Sequence, residues 1–92
     1  MRLKEQEVVL IKKTISEIFN DVSIYLFGSR LDDTKKGGDI DLFIISNDEN
    51  LFEKKIKALA KLQRILSKPI DIVLHRDFDR EIEKEALKGI KF

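Results

Sequence analysis

The sequence predicts an α+β fold, a small mixed β-sheet of about three strands in the order α-β-β-α-β-α with helices packed on one face. Three observations predict it. An apolar pattern of helical period fills the start of the chain. Three short β-rich runs follow at Val22 to Phe27, Asp39 to Ile45 and Ile70 to Leu74. A helical stretch long enough to be a crossover separates the second run from the third, which makes those two strands parallel neighbours.

Taken in order, residues from about Leu3 to Phe19 place Val8, Ile11, Ile15 and Ile18 on one helical face, with Lys12, Lys13 and Glu17 between them. Asn20 and Asp21 end that helix. Val22 to Phe27 reads as the first strand. A polar loop from Gly28 to Gly38 leads to the second strand and leaves the first two strands free to pair in either sense. Asn50 is placed to cap a second helix, whose buried stripe is read as Phe52, Ile56, Leu59 and Leu66. Pro69 stops it. A last helix is expected from about Phe78 to Leu87, with Asp77 and Asp79 as its cap and first turn and Gly89 closing it.

Composition narrows the function. The chain of 92 residues is read as a single domain, residues 1–92, with a formal net charge of +1. That balance gives no basic field, so nucleic acid is not implied as a partner. With no cysteine, disulfides and thiolate metal sites are excluded. The segment Met1 to Glu7 is too charged for a signal peptide, and no apolar run approaches the ~18 residues of a membrane span. No membrane association and a cytoplasmic address are therefore expected, and a homo-oligomer is compatible with the length.

The chemistry sits in Gly28-Ser29-Arg30, Asp39-Ile40-Asp41 and Asp71. Alternation along a strand points Asp39 and Asp41 the same way, about 7 Å apart along the backbone, with Ile40 turned into the core. Asp71 lies near the start of the third strand and joins them if that strand neighbours the second. Three like charges on one open face are costly unless cations neutralise them. Oxygen-only ligands suit magnesium, completed by phosphates and water. Two such ions ~3.5–4 Å apart can activate an attacking oxygen and stabilise leaving pyrophosphate. Gly28 permits close approach of a phosphate, Ser29 and nearby backbone N–H groups can donate to it, and Arg30, with Lys35 and Lys36, adds charge.

Gly28-Ser29, the spacer, Asp39-Ile40-Asp41-Leu42 and Asp71 within Ile70-Asp71-Ile72-Val73 together resemble the signature of the polymerase-beta-like nucleotidyltransferase superfamily. The length and the segment Glu85-Ala86-Leu87-Lys88-Gly89-Ile90 resemble its minimal nucleotidyltransferase branch, so the resemblance covers nearly the whole chain. The spacer between Ser29 and Asp39 holds nine residues, slightly short for the family. The resemblance implies a nucleotidyltransferase fold and an enzyme that uses ATP. Asp39 and Asp41 would hold two magnesium ions, with Asp71 as the third ligand and an aid to deprotonating the acceptor. Gly28, Ser29 and Arg30 would bind the nucleotide. It also implies a partner, a helical HEPN-type toxin, with this chain as the antitoxin that transfers AMP to one of its tyrosines.

Blander readings stand beside these. Asp39 and Asp41 could be solvated strand residues, Asp71 could simply open a strand, and Arg30 could be a surface charge. Asp32 and Asp33 read as turn residues. His75 reads as a surface or packing residue, and Lys54, Lys55, Lys57 and Lys61 as the wet face of the second helix. Other functions are a non-catalytic antitoxin or nucleotide-binding module that masks its partner by contact, and transfer to a small molecule, for which the chain has little structure to spare.

Overall fold

The structure, a computed structural model, describes residues 3–28 and 40–92. These form helix α1 (Glu5–Ile18), strands β1 (Val22–Phe27) and β2 (Ile40–Ser46), helix α2 (Leu51–Leu66), strand β3 (Ile70–Leu74), helix α3 (Glu81–Leu87) and strand β4 (Ile90–Lys91). The α+β class and the predicted element order hold, and β4 adds a fourth strand. The strands lie in the order β3-β2-β1-β4. β1 is antiparallel to both β2 and β4, while β2 and β3 are parallel, as their helical connection requires.

Alternation divides the sheet residues between two faces. Ile24, Leu26, Ile40, Leu42, Ile44 and Ile72 form the main core with Ile11 and Ile15 of α1 and Ala58 and Leu62 of α2. Phe27 and Phe43, of opposite parity, form a smaller core with Ala86 of α3. Helices α1 and α2 thus occupy the expected face, but α3 packs on the other. The reason is that Tyr25, Phe27, Phe43, Ile45 and Val73 make part of that second face apolar, and it needs cover as much as the first does.

Polar ties fix the helix ends. The Lys4 N–H donates to Glu7 Oε1 at 3.0 Å, closing the first turn of α1. Lys68 Nζ donates to Glu7 Oε2 at 2.6 Å, joining α1 to the segment after α2. Burial acts to raise the Glu7 pKa, but the Lys68 hydrogen bond and charge, with the Lys4 N–H, bring it below the ordinary value. Asp48 accepts from the Asn20 N–H at 2.6 Å and from Lys54 Nζ at 2.9 Å, so it latches the end of α1 to the start of α2. Lys54 is therefore part of this latch and not merely on the wet face.

Three local readings change. Asn50 does precede α2, but it sits at φ 57° and makes no side-chain cap bond. In α2 the buried residues are Ala58 and Leu62, whereas Phe52 is 67% and Ile56 51% exposed. Asp77 and Asp79 lie before α3, whose N-cap is Arg80. Asp77 instead closes a turn, its Oδ1 accepting the Asp79 N–H at 2.9 Å. Gly89 does follow α3, but for a different reason from the one expected. A Cβ there would strike the carbonyl oxygen of Leu26, so glycine lets β4 close onto β1.

Candidate active site

The parallel register pairs Ile40 with Ile70, Asp41 with Asp71 and Leu42 with Ile72. Asp41 and Asp71 are therefore direct neighbours, about 4.8 Å apart at the backbone and on the same face of the sheet. The isoleucines and leucine around them turn to the main core. Core packing thus fixes where the two carboxylates point. Asp41 is half-buried and Asp71 exposed.

Gly28 follows β1 directly and adopts φ +83°, a conformation that side chains rarely tolerate. Phe27 pairs with Asp41 across the antiparallel ladder, which brings Gly28 against the aspartate. A Cβ on Gly28 would collide with Asp41 Oδ2. The bare backbone of Gly28 and the second carboxylate of the Asp-x-Asp pair thus share one small space where β1 ends and β2 begins.

Gly28, Asp41 and Asp71 are the members of the predicted site that the structure brings together. Ser29, Arg30 and Asp39, with Lys35 and Lys36, lie outside the described residues. Among the described residues no group of three or more His, Cys, Asp or Glu side chains is gathered for a metal, and the third expected carboxylate is not among them.

A family model described as a nucleotidyltransferase domain matches residues 8–92. The chain belongs to this nucleotidyltransferase domain family. The match spans every strand and agrees with the polymerase-beta-like, minimal character read from Gly28, Asp41 and Asp71. No curated protein gives a match. No helix among the described residues is long and apolar enough to cross a membrane.

Beside Asp71 the nucleotidyltransferase domain has a cleft of about 360 Å³ along the outer strand. Phe52 and Lys55 of α2 form one wall, and Arg76, Arg80 and Ile82 the other. Arg76 and Arg80 belong to the segment joining β3 to α3, and a single buried residue organises it. Glu83, fully buried, accepts the N–H groups of Arg76 and Asp77 at 2.9 Å each and Arg80 Nη1 at 3.0 Å. It also meets His75 Nδ1 at 2.6 Å. Burial would raise its pKa, but the Asp77 N–H, His75 and the Arg76 N–H outweigh that and hold it at about 2.

The His75 ring stacks on Phe78, with centroids 3.9 Å apart. His75 is therefore a packing and pairing residue of the segment that joins β3 to α3. Sequence reading does not find Glu83. The only signal it offers is an arginine three positions earlier, an everyday helical pairing.

Proposed function

We propose that this domain is a magnesium-dependent nucleotidyltransferase that takes ATP and transfers AMP to a HEPN-type toxin in the cytoplasm, acting as its antitoxin. The observation that carries the catalytic part is the register of β2 and β3, which sets Asp41 beside Asp71 with the Gly28 backbone against the first of them. Membership of the nucleotidyltransferase family supports transfer. The antitoxin role rests on the resemblance to the minimal branch.

The donor set fits a hard divalent cation. Both groups are carboxylates, they share a face, and the chain has no cysteine to favour a softer metal. Asp41 and Asp71 would hold magnesium, with Asp39 as the third expected ligand. Bound there, magnesium supplies stabilisation of the negative charge that builds on the phosphates during transfer.

The protein's own groups do the rest. Gly28 leaves the backbone bare where the phosphates approach, and Ser29 and Arg30 are the expected donors to their oxygens. Asp71, the exposed carboxylate, orients the acceptor hydroxyl and takes its proton. The hydroxyl oxygen forms a bond to the α-phosphorus. The bond from that phosphorus to the bridging oxygen breaks, and pyrophosphate leaves with the electron pair.

Calorimetric titration with ATP, in magnesium and in chelator, tests the site. Metal-dependent binding that is lost in Asp41→Asn supports it, and equal affinity in both buffers counts against it. Co-expression with a HEPN-type partner and intact-mass measurement tests the acceptor. An added adenylyl mass on the partner, absent with Asp41→Asn, is the expected result. A stable complex without added mass points to masking by contact.

A further inference from the structure

Arg80 is a cation of the cleft wall whose place a buried group fixes. Its Nη1 donates to Glu83 Oε2 at 3.0 Å and to Leu74 O at 3.5 Å, which engages both hydrogens of that nitrogen. Glu83 has no second oxygen to give it. Oε2 also accepts the Arg76 and Asp77 N–H groups, and Oε1 meets His75. The Nε–H and Nη2–H groups of Arg80 are thus left without a hydrogen bond among the described residues. These two nitrogens form the side-on edge of the guanidinium, a parallel pair of donors matched to two oxygens of a carboxylate or phosphate. The Arg80 side chain is 36% exposed, while Glu83 beneath it is fully buried. An arginine that served only to neutralise Glu83 would gain more from a two-nitrogen pairing with it.

The position of this fork decides what it can hold. Leu74, whose carbonyl Arg80 grips, stands three residues beyond Asp71 on β3, about 10 Å along the strand. That exceeds the reach of a phosphate oxygen sharing a cation with Asp71. In-line displacement also sets the acceptor opposite the leaving pyrophosphate. The Gly28 backbone, where the phosphates approach, lies on the β1 side of Asp41, and β3 lies on the other side of β2. The cleft along β3 is therefore on the acceptor's side of the carboxylates.

We propose that Arg80 selects the acceptor, its Nε–Nη2 edge pairing with an oxyanion that the acceptor carries about 10 Å from the hydroxyl to be modified, and that Glu83 is its positioning residue. This rests on the transferase reading of Asp41 and Asp71 above. In a protein acceptor the oxyanion comes from an acidic side chain or a phosphorylated one, and either offers two oxygens to the fork. Glu83 stays ionised through neutral pH, so its hold on Arg80 does not lapse where the enzyme works. The pairing changes which acceptor binds and not the step at phosphorus.

The test uses the whole chain and three synthetic tyrosine peptides. They are identical except next but one to the tyrosine, where they carry glutamate, phosphoserine or glutamine. Nuclear magnetic resonance without nucleotide follows the Arg80 Nε–Hε signal of isotope-labelled protein. A saturable shift is expected with an anionic peptide and none with the glutamine peptide. Transfer to the peptides then reads specificity. An anionic peptide should have a KM about ten-fold below that of the glutamine peptide. Arg80→Lys, which keeps the charge but lacks the fork, and Arg80→Gln should bring that ratio close to one with little change in kcat. Glu83→Gln should lower the ratio part-way, and Arg64→Gln, an exposed arginine of α2 outside the cleft, should leave it unchanged.

The lower KM of the two anionic peptides tells an acidic from a phosphorylated source. A KM that rises equally for all three peptides in the Arg80 variants marks a merely structural pair and overturns the proposal. So does an Arg80 signal that no peptide moves, or one that moves with pyrophosphate alone. Transfer to none of the peptides, with the Arg80 signal shifting as described, sinks the catalytic reading alone.

Discussion

Glu83→Gln removes one buried charge and leaves its shape nearly intact, so its cost can be worked from the structure. The carboxyl is held at about 2 against an ordinary 4.5. At about 1.4 kcal/mol per tenfold change in proton affinity, that difference sets a ceiling near ~3 kcal/mol. Its partners His75 and Arg80 are 25% and 36% exposed, so solvent screens part of the attraction and leaves roughly 2 kcal/mol. Glutamine also turns an amide N–H2 toward groups that are themselves donors, which strands one N–H at about 1 kcal/mol. The expected total is about 2–3 kcal/mol, a midpoint shift of about 1–2 M in urea.

The pH dependence gives a sharper check than the size. A carboxyl whose folded pKa is depressed stabilises the fold fully above its unfolded pKa and loses that contribution as pH falls toward the folded one. The gap between wild type and Glu83→Gln should therefore be complete near neutrality and close between about 4.5 and about 2. Urea melts near neutral pH and near the middle of that window measure it. A gap of the same size at both, or none at either, would refute the account of Glu83.

Other substitutions probe the site and the sheet. Gly28→Ala forces a side chain into φ +83° and into the Asp41 carboxylate. It should cost about 1–2 kcal/mol and weaken ATP binding, and calorimetry with unchanged affinity would contradict the contact. Asp71→Asn should abolish transfer while leaving the thermal midpoint level or slightly raised, since it lowers repulsion with Asp41. A variant that transfers at the wild-type rate removes Asp71 from the mechanism. Gly89→Ala should cost about 1–3 kcal/mol by pushing β4 off Leu26. Amide exchange at Phe92, whose N–H donates to Ile24 O at 2.8 Å, should then accelerate, and an unchanged rate argues against the close approach.

Much of the fold was legible because its strands are short, β-branched and bounded by turn residues. The runs Val22–Phe27 and Ile70–Leu74 coincide with β1 and β3. The pairing of Asp41 with Asp71 could be anticipated only conditionally, because register depends on long-range packing. The stripe of α2 was misjudged at Phe52 and Ile56. Its apolar arc is wider than the surface that the sheet covers, and periodicity cannot say which edge of such an arc stays wet. β4 escaped because two residues carry no periodicity. The second apolar face was readable in Tyr25, Phe27, Phe43 and Ile45, yet the aspartates of the same parity drew that face toward a purely catalytic reading. Glu83 was invisible because its burial comes from a segment that folds back over it.

The alternation along β2 imposes a parity rule on the gene. Ile40, Leu42 and Ile44 are buried on one side while Asp41 faces the other, within a single run of seven residues. Inserting or deleting one codon inside that run would drive the carboxylate into the core and expose the isoleucines at once, whereas a change of two would restore the alternation. Loss of chemistry and loss of folding are thus coupled for every odd-length change in β2. A lineage cannot drift into a stable, inactive form by that route. Substitution of Asp41 itself, by contrast, leaves the alternation of Ile40, Leu42 and Ile44 intact.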